Sequence, residues 1–400
     1  MELSFLPRLP LALSQPILFG ALLAAGLLAG EAINRYASLP RITGYALAGV
    51  ALGPEVTGLL SVETLHALRV LVDLSIGLIV FELGFRFDWA WLKRNRWLFV
   101  TAVAESVLCF GAIYGTLLYF GLRPLLAAAA AAIGTATSPA VVMLVAHELR
   151  AEGQVTERML LFTAVNSVFA YVSLTLLLPF LQAAHHATWL EGALHPLYVL
   201  AGSALVGIGA CAVMLRLAAW LGKREDRQFV LLVALLVLTV GVARSLELSV
   251  VVALVTLGAL ARNLDAGHVL LPLRFGYGGQ LLFVILFVLT GASLQFGALA
   301  SAGLLVGALI VVRFLGKALA LLLFGRLSGV RPGGAGLLAI ALLPMSDLAA
   351  VMAHDTAALY PAFGKEVSGV VLAAVAILTL LGPLATQFAL RHAGEARPAN

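Results

Sequence analysis

Of 400 residues, 62% are hydrophobic and only 11% are charged, with a formal net charge of +5. A soluble domain carries roughly 25% charged residues, so this composition excludes a chain that covers its own surface against water. The positive balance does not point to nucleic acid, because the cytoplasmic loops of membrane proteins collect Lys and Arg in any case.

Apolar runs near the bilayer-crossing length of about 20 residues recur along the whole chain and predict about thirteen spans. In order these cover residues 15–35, 41–60, 67–84, 98–120, 124–147, 157–183, 192–221, 227–246, 249–263, 276–296, 302–325, 334–356 and 366–391. The first is read as a spanning helix, because no small-residue cleavage site precedes a polar mature region. Cys109 and Cys211 both fall inside apolar runs and read as small core residues. Loops are brief and no composition shift marks a second unit. The expectation is one all-α polytopic transmembrane domain over residues 1–400, with no soluble regulatory domain.

Charge placement predicts an orientation. One set of loops collects eighteen basic residues, among them Arg35, Arg41, Arg86, Lys93, Arg94, Arg150, Arg158, Lys223, Arg224, Arg326 and Arg391, while the opposite set holds only Arg8, Arg69, Arg123, Arg244 and Lys365. The positive-inside pattern then puts the N-terminus outside and the C-terminus in the cytoplasm. Comparing the chain with itself at an offset of about 207 residues sets Phe81-Glu82-Leu83-Gly84 against Val288-Leu289-Thr290-Gly291. The same offset sets Thr137-Ser138-Pro139 against Pro344-Met345-Ser346, and puts Glu105 beside Arg313. The implied inverted repeats cover about 41–183 and 227–391, joined by a linker helix at about 192–221. Paired interrupted helices in inverted repeats place a transporter's substrate site at the midplane, between the breaks.

Ionisable groups inside a membrane are costly and so are functional candidates by default. Asp73, Glu82, Glu105, Arg313, Lys317 and Asp347 form that set. In Gly134-Thr135-Ala136-Thr137-Ser138-Pro139, proline frees a carbonyl and the hydroxyls add oxygens beside it, which suits either a hard-cation site or a proline kink. Thr163 and Ser167 share one helix face with Asn166 beside them, as ion ligands or as bonds to a neighbouring helix. Arg313 and Lys317, four apart, must meet carboxylates, carbonyls or water, and Glu105 is the expected partner for one of them. Asp347 adjoins the second break.

At this point the residues resemble a known family. Pro40-Arg41-Ile42-Thr43-Gly44-Tyr45, Gly49 to Pro54, Phe81-Glu82-Leu83-Gly84 with Asp88, Ala136-Thr137-Ser138-Pro139-Ala140, Phe287 to Gly291, and Arg313 through Gly316-Lys317 resemble, in order, the monovalent cation:proton antiporter-2 family. That resemblance implies a thirteen-helix sodium/proton exchanger fold, usually a homodimer. In it one half is a scaffold, and the other carries crossed broken helices and moves like an elevator. It also implies an ion site on the fifth and sixth spans, with an Asn-Asp or Asp-Asp pair in the sixth. Here the pair is Asn166-Ser167, so another acid must titrate. The neighbouring antiporter-1 family carries a similar Phe-Glu-Gly element whose glutamate contributes to the site, which singles out Glu82, with Asp347 in reserve.

The expected function is exchange of protons for Na⁺ or K⁺ across a bacterial inner membrane. The site residues are Glu82, Thr137, Ser138, Thr163, Asn166, Ser167 and Asp347, with Arg313, Lys317 and Glu105 balancing charge. Lipid, proton and cation are the expected partners; no cofactor, resident metal or nucleic acid is expected. No phosphate loop, metal-ligand cluster or triad spacing points to an enzyme. Two alternatives stay open: a transporter of a small organic anion held by Arg313 and Lys317, and a non-transporting sensor on the same fold.

Overall fold

The computed structural model describes residues 15–183, 189–265, 270, 276–294, 297–331, 333–345, 347–359 and 361–397. Arg8 and Ser346 lie outside this set, as do the side chains of Asp347 and Lys365. The described residues form seventeen α-helices and no strands. The N-terminal helices are α1 (Gln15–Ala37), α2 (Arg41–Leu52), α3 (Val62–Ala67), α4 (Arg69–Phe85), α5 (Trp89–Arg94) and α6 (Arg96–Tyr119). Next come α7 (Pro124–Thr135), α8 (Pro139–Glu148), α9 (Gln154–Ala183), α10 (Trp189–Leu221), α11 (Glu225–Ser245) and α12 (Val250–Leu264). The last are α13 (Gly276–Ala292), α14 (Gly297–Phe324), α15 (Gly334–Ala341), α16 (Asp347–Leu359) and α17 (Pro361–His392). Among the described residues, eight segments are long and apolar enough to cross a membrane, and Arg41–Leu52, Val250–Leu264 and Gly279–Ala292 are shorter apolar helices.

Two expected spans are shorter as helices than their apolar runs suggest. The run at 41–60 is helical only to Leu52, because Pro54 holds Gly53 in an extended conformation (φ −69°, ψ 170°) and ends the helix. The run at 334–356 is broken between Ala341 and Asp347, around Pro344. The break between α7 and α8 has a local cause too. Pro139 pushes Ser138 out of helical geometry (φ −71°, ψ 111°), and Ser138 then caps α8 by accepting from the Val141 amide at 3.3 Å. Pro139 itself sits at the first helical position, where its missing N–H costs nothing.

Helices pack in two groups. In one, α2 lies between α1 and α13, and α12 lies between α4 and α10. Backbones meet there: a Cβ on Gly49 would lie 2.0 Å from the Val288 carbonyl, and one on Gly291 would lie 2.1 Å from the Ala46 carbonyl. Such close approach between small residues is how membrane helices gain van der Waals contact when lipid offers no hydrophobic drive. In the other group α6 packs along α14, α7 and α9 pack on α6, α15 and α17 pack on α14, and α8 and α16 join through α9, α17 and α7. Gly316 lets α14 close on α6, since a Cβ would stand 3.0 Å from the Cα of Cys109. Cys109 and Cys211 are buried free thiols. Between the two groups a cavity of about 490 Å³ is lined by Glu55, Arg69, Thr290, Ser293, Ala350 and Val375, among others.

Candidate ion site at the crossing of two broken helices

The two breaks touch. The Ser138 amide, in the first, donates to the Pro344 carbonyl, in the second, at 2.9 Å. Helix interruptions leave carbonyls at the ends of α7 and α15 with no intrahelical partner, and Arg313 on α14 supplies donors for both. Its Nε donates to the Gly134 carbonyl at 2.8 Å and its Nη2 to Ala136 at 2.8 Å. Nη1 donates to Leu343 at 2.5 Å and Nη2 also reaches Pro344 at 3.3 Å. The guanidinium is wholly buried, and its fork geometry is what lets one side chain bridge two half-helix ends.

One turn along α14, Lys317 makes a different contact. Its Nζ lies 2.6 Å from Glu105 Oε1 on α6, in an ion pair whose two side chains have no exposure. It also donates to Thr137 Oγ1 at 3.2 Å and to the Thr135 carbonyl at 3.4 Å. Burying two such charges is tolerable only when geometry and further hydrogen bonds offset their desolvation. Here the ammonium has three acceptors, while Glu105 Oε2 is buried with no hydrogen-bond partner.

Thr137 links this pair to α9. Asn166 Nδ2 donates to Thr137 Oγ1 at 3.1 Å, and Asn166 Oδ1 accepts from Ser106 Oγ at 2.6 Å. Ser167 Oγ donates to the Thr163 carbonyl at 2.8 Å and lies 3.4 Å from the Thr137 carbonyl. Thr163 Oγ1 donates to the Met159 carbonyl at 2.7 Å. Thr137, Ser138, Thr163, Asn166, Ser167, Arg313, Lys317 and Glu105 therefore gather around the crossing, all buried.

Glu82 stands elsewhere. Near the end of α4, its Oε1 accepts from Arg86 Nη2 at 2.9 Å and lies 3.6 Å from His147 Nε2, while Oε2 is buried and unpartnered. No hydrogen bond or ion pair joins it to Arg313, Lys317 or Thr137. Asp73 forms a bidentate pair with Arg244 at 2.6 and 2.7 Å, away from the crossing on α4 and α11. Asp347 is the first residue of α16, directly after the second break. Sequence reasoning missed Ser106, which orients Asn166; its signal was a Glu105-Ser106 polar pair inside an otherwise apolar helix. Of the partners the sequence allowed the two cations, Arg313 meets carbonyls and Lys317 meets the carboxylate of Glu105.

Residues 18–392 match the sodium/hydrogen exchanger, transmembrane family. The chain belongs to that family. This sodium/hydrogen exchanger family member is thus a multi-pass membrane protein of a transporter family, not an enzyme family. No curated protein matches it in sequence. Among solved structures it is similar to the sodium proton antiporter MjNhaP1 from Methanocaldococcus jannaschii at pH 8, with TM-score 0.69 and 17% identity over 95% of this chain and 99% of that one. An electron-microscopy structure of MjNhaP1 matches with TM-score 0.68 and 18% identity, covering 95% and 98%. The exchanger-family chain therefore has the fold of that antiporter.

Proposed function

We propose that this exchanger-family protein carries out proton exchange for a monovalent cation, Na⁺ or K⁺, at the crossing of its broken helices. The observation that carries the reading is the enclosed Glu105–Lys317 pair, with one carboxylate oxygen unpartnered and Thr137 of the first break within reach of the ammonium. An exchanger needs a group for which cation and proton compete, and Ser167 cannot serve. Glu105 is the described carboxylate nearest the polar cluster. A cation entering the cluster binds Glu105 Oε2 first and then displaces the ammonium from Oε1. Cation and ammonium thus compete for one carboxylate, and the proton exchanged is the one carried on the Lys317–Glu105 pair. Thr137, Ser138, Thr163, Asn166 and Ser167 supply neutral oxygens around it. Glu82 and Asp347 remain the second and third acids, since Glu82 also has a buried free oxygen.

The rest of the reading follows the fold likeness and the charge pattern. It comprises thirteen spans in inverted repeats, an elevator movement of one helix group past the other, a homodimer, and the antiporter-2 branch of the family. The protein sits in a bacterial inner membrane with its N-terminus outside. An organic anion fits the crossing less well. Four hydrogen bonds already commit Arg313 to carbonyls, out of five donors a guanidinium has.

Purified protein in liposomes with an interior pH dye tests this directly. Separate Na⁺, K⁺ and Li⁺ pulses are applied from mildly acid to mildly alkaline pH, to wild type, Glu105→Gln and Glu82→Gln. Exchange in the wild type and in Glu82→Gln, but not in Glu105→Gln, is the expected result. Loss in Glu82→Gln alone moves the carrier to α4. Silence of the wild type with every cation sinks the antiporter reading.

A further inference from the structure

Thr379 on α17 is wholly buried, and its Oγ1 has no hydrogen-bond partner within the protein. Other buried helical hydroxyls here bond the carbonyl four residues back, as Thr135, Thr163, Ser167, Thr239 and Thr356 do. A buried hydroxyl that forgoes this bond carries a standing desolvation cost and calls for an explanation. Its backbone is unusual as well. Pro383 lies four residues on, inside the same helix, and lacks the N–H that would have bonded the Thr379 carbonyl. One residue thus offers two under-used oxygens.

Its position follows from the packing of α17. Thr386 Oγ1 donates to the Ala341 carbonyl at 3.2 Å, and a Cβ on Gly382 would lie 2.8 Å from the Cα of Pro344. This face of α17 therefore runs antiparallel along the second break. One turn further back along the same face stands Thr379. A turn beyond that, Val375 and Ala350 line the 490 Å³ cavity between the two helix groups. Of the orphan polar atoms among the described residues, only Glu105 Oε2 and Thr379 Oγ1 belong to side chains with no exposure at all.

We propose that Thr379 coordinates the transported cation on its way between that cavity and Glu105, and sets cation preference there. The ligand is a desolvated monovalent cation, held by Oγ1 and the freed carbonyl in place of its hydration shell. This rests on the antiporter reading, and two readouts keep the two separable. In the liposome assay, Thr379→Val removes the hydroxyl at constant shape and is expected to raise the apparent KM for the preferred cation by roughly tenfold, changing the Na⁺/K⁺ ratio. Thr379→Ser keeps the hydroxyl and is expected to stay within about twofold of wild type. The second readout is the rise in melting temperature of solubilised protein with added NaCl over choline chloride; it is expected in wild type and Thr379→Ser and lost in Thr379→Val. Unchanged KM, ratio and sodium stabilisation in Thr379→Val overturn the proposal, as does equal loss of maximal rate in both variants at unchanged KM, which marks a packing role. If the wild type exchanges nothing but sodium stabilises it and not Thr379→Val, the site stands and the antiporter reading falls.

Discussion

Two buried glutamates in this molecule are each held by a cation, yet their surroundings differ. Glu105 and Lys317 are both sealed, with no exposure on either side chain. Glu82 is 8% exposed, but its partner Arg86 is 40% exposed and reaches water. Removing a partner at the first site strands a charge in a dry interior, whereas at the second, water already reaches the partner's place. Depth, rather than the presence of an ion pair, separates a group whose charge state is coupled to its neighbours from one that is merely neutralised.

The sharpest way to break that contrast is Lys317→Gln. Stranding Glu105 is expected to lower stability by about 3–5 kcal/mol and abolish exchange, seen as a large drop in melting temperature in detergent. The double change Lys317→Gln with Glu105→Gln is expected to recover most of that stability and none of the exchange. Recovery of exchange in the double variant would remove both groups from the chemistry. Arg313→Lys comes next. An ammonium cannot span four carbonyls, and the loss of bridging bonds is expected to cost about 2–3 kcal/mol; a melting temperature equal to wild type would show that the two breaks hold without the guanidinium. In the other helix group, Gly291→Ala puts a methyl 2.1 Å from the Ala46 carbonyl and is expected to cost about 1–3 kcal/mol through a forced backbone shift. Arg86→Gln is expected to cost under about 1 kcal/mol and leave exchange rates within about twofold. A complete loss of exchange there would put the half-exposed pair on the ion path and erase the contrast.

Much of the architecture was legible because it depends on local rules. Pro139 and Pro344 announce both helix breaks, and apolar runs announce the long helices. Gly53-Pro54 also announces the early end of α2, but its apolar run continues to Leu60 and hid that end from a hydropathy reading. The short helices α3 and α5 lack the length that periodicity needs. At the site, Thr137, Asn166, Arg313 and Lys317 stood out as polar groups in apolar surroundings, and Glu105 as a partner for one of the cations. Which cation it meets depends on a one-turn offset between α6 and α14 that no spacing within either helix encodes. Glu82 drew attention through its motif, yet its bond to Arg86 is an ordinary i,i+4 contact visible in the sequence. Thr379 escaped notice because a lone threonine in an apolar helix is common. The proline four residues later was its signal.

Arg313 has one further consequence. The carbonyl ends of half-helices carry roughly half a negative charge each, and at this crossing the guanidinium covers the ends of both α7 and α15. An arriving ion therefore meets a background potential already levelled by the protein. Its retention depends on the few oxygens it touches, and bath ionic strength changes only how fast it gets there.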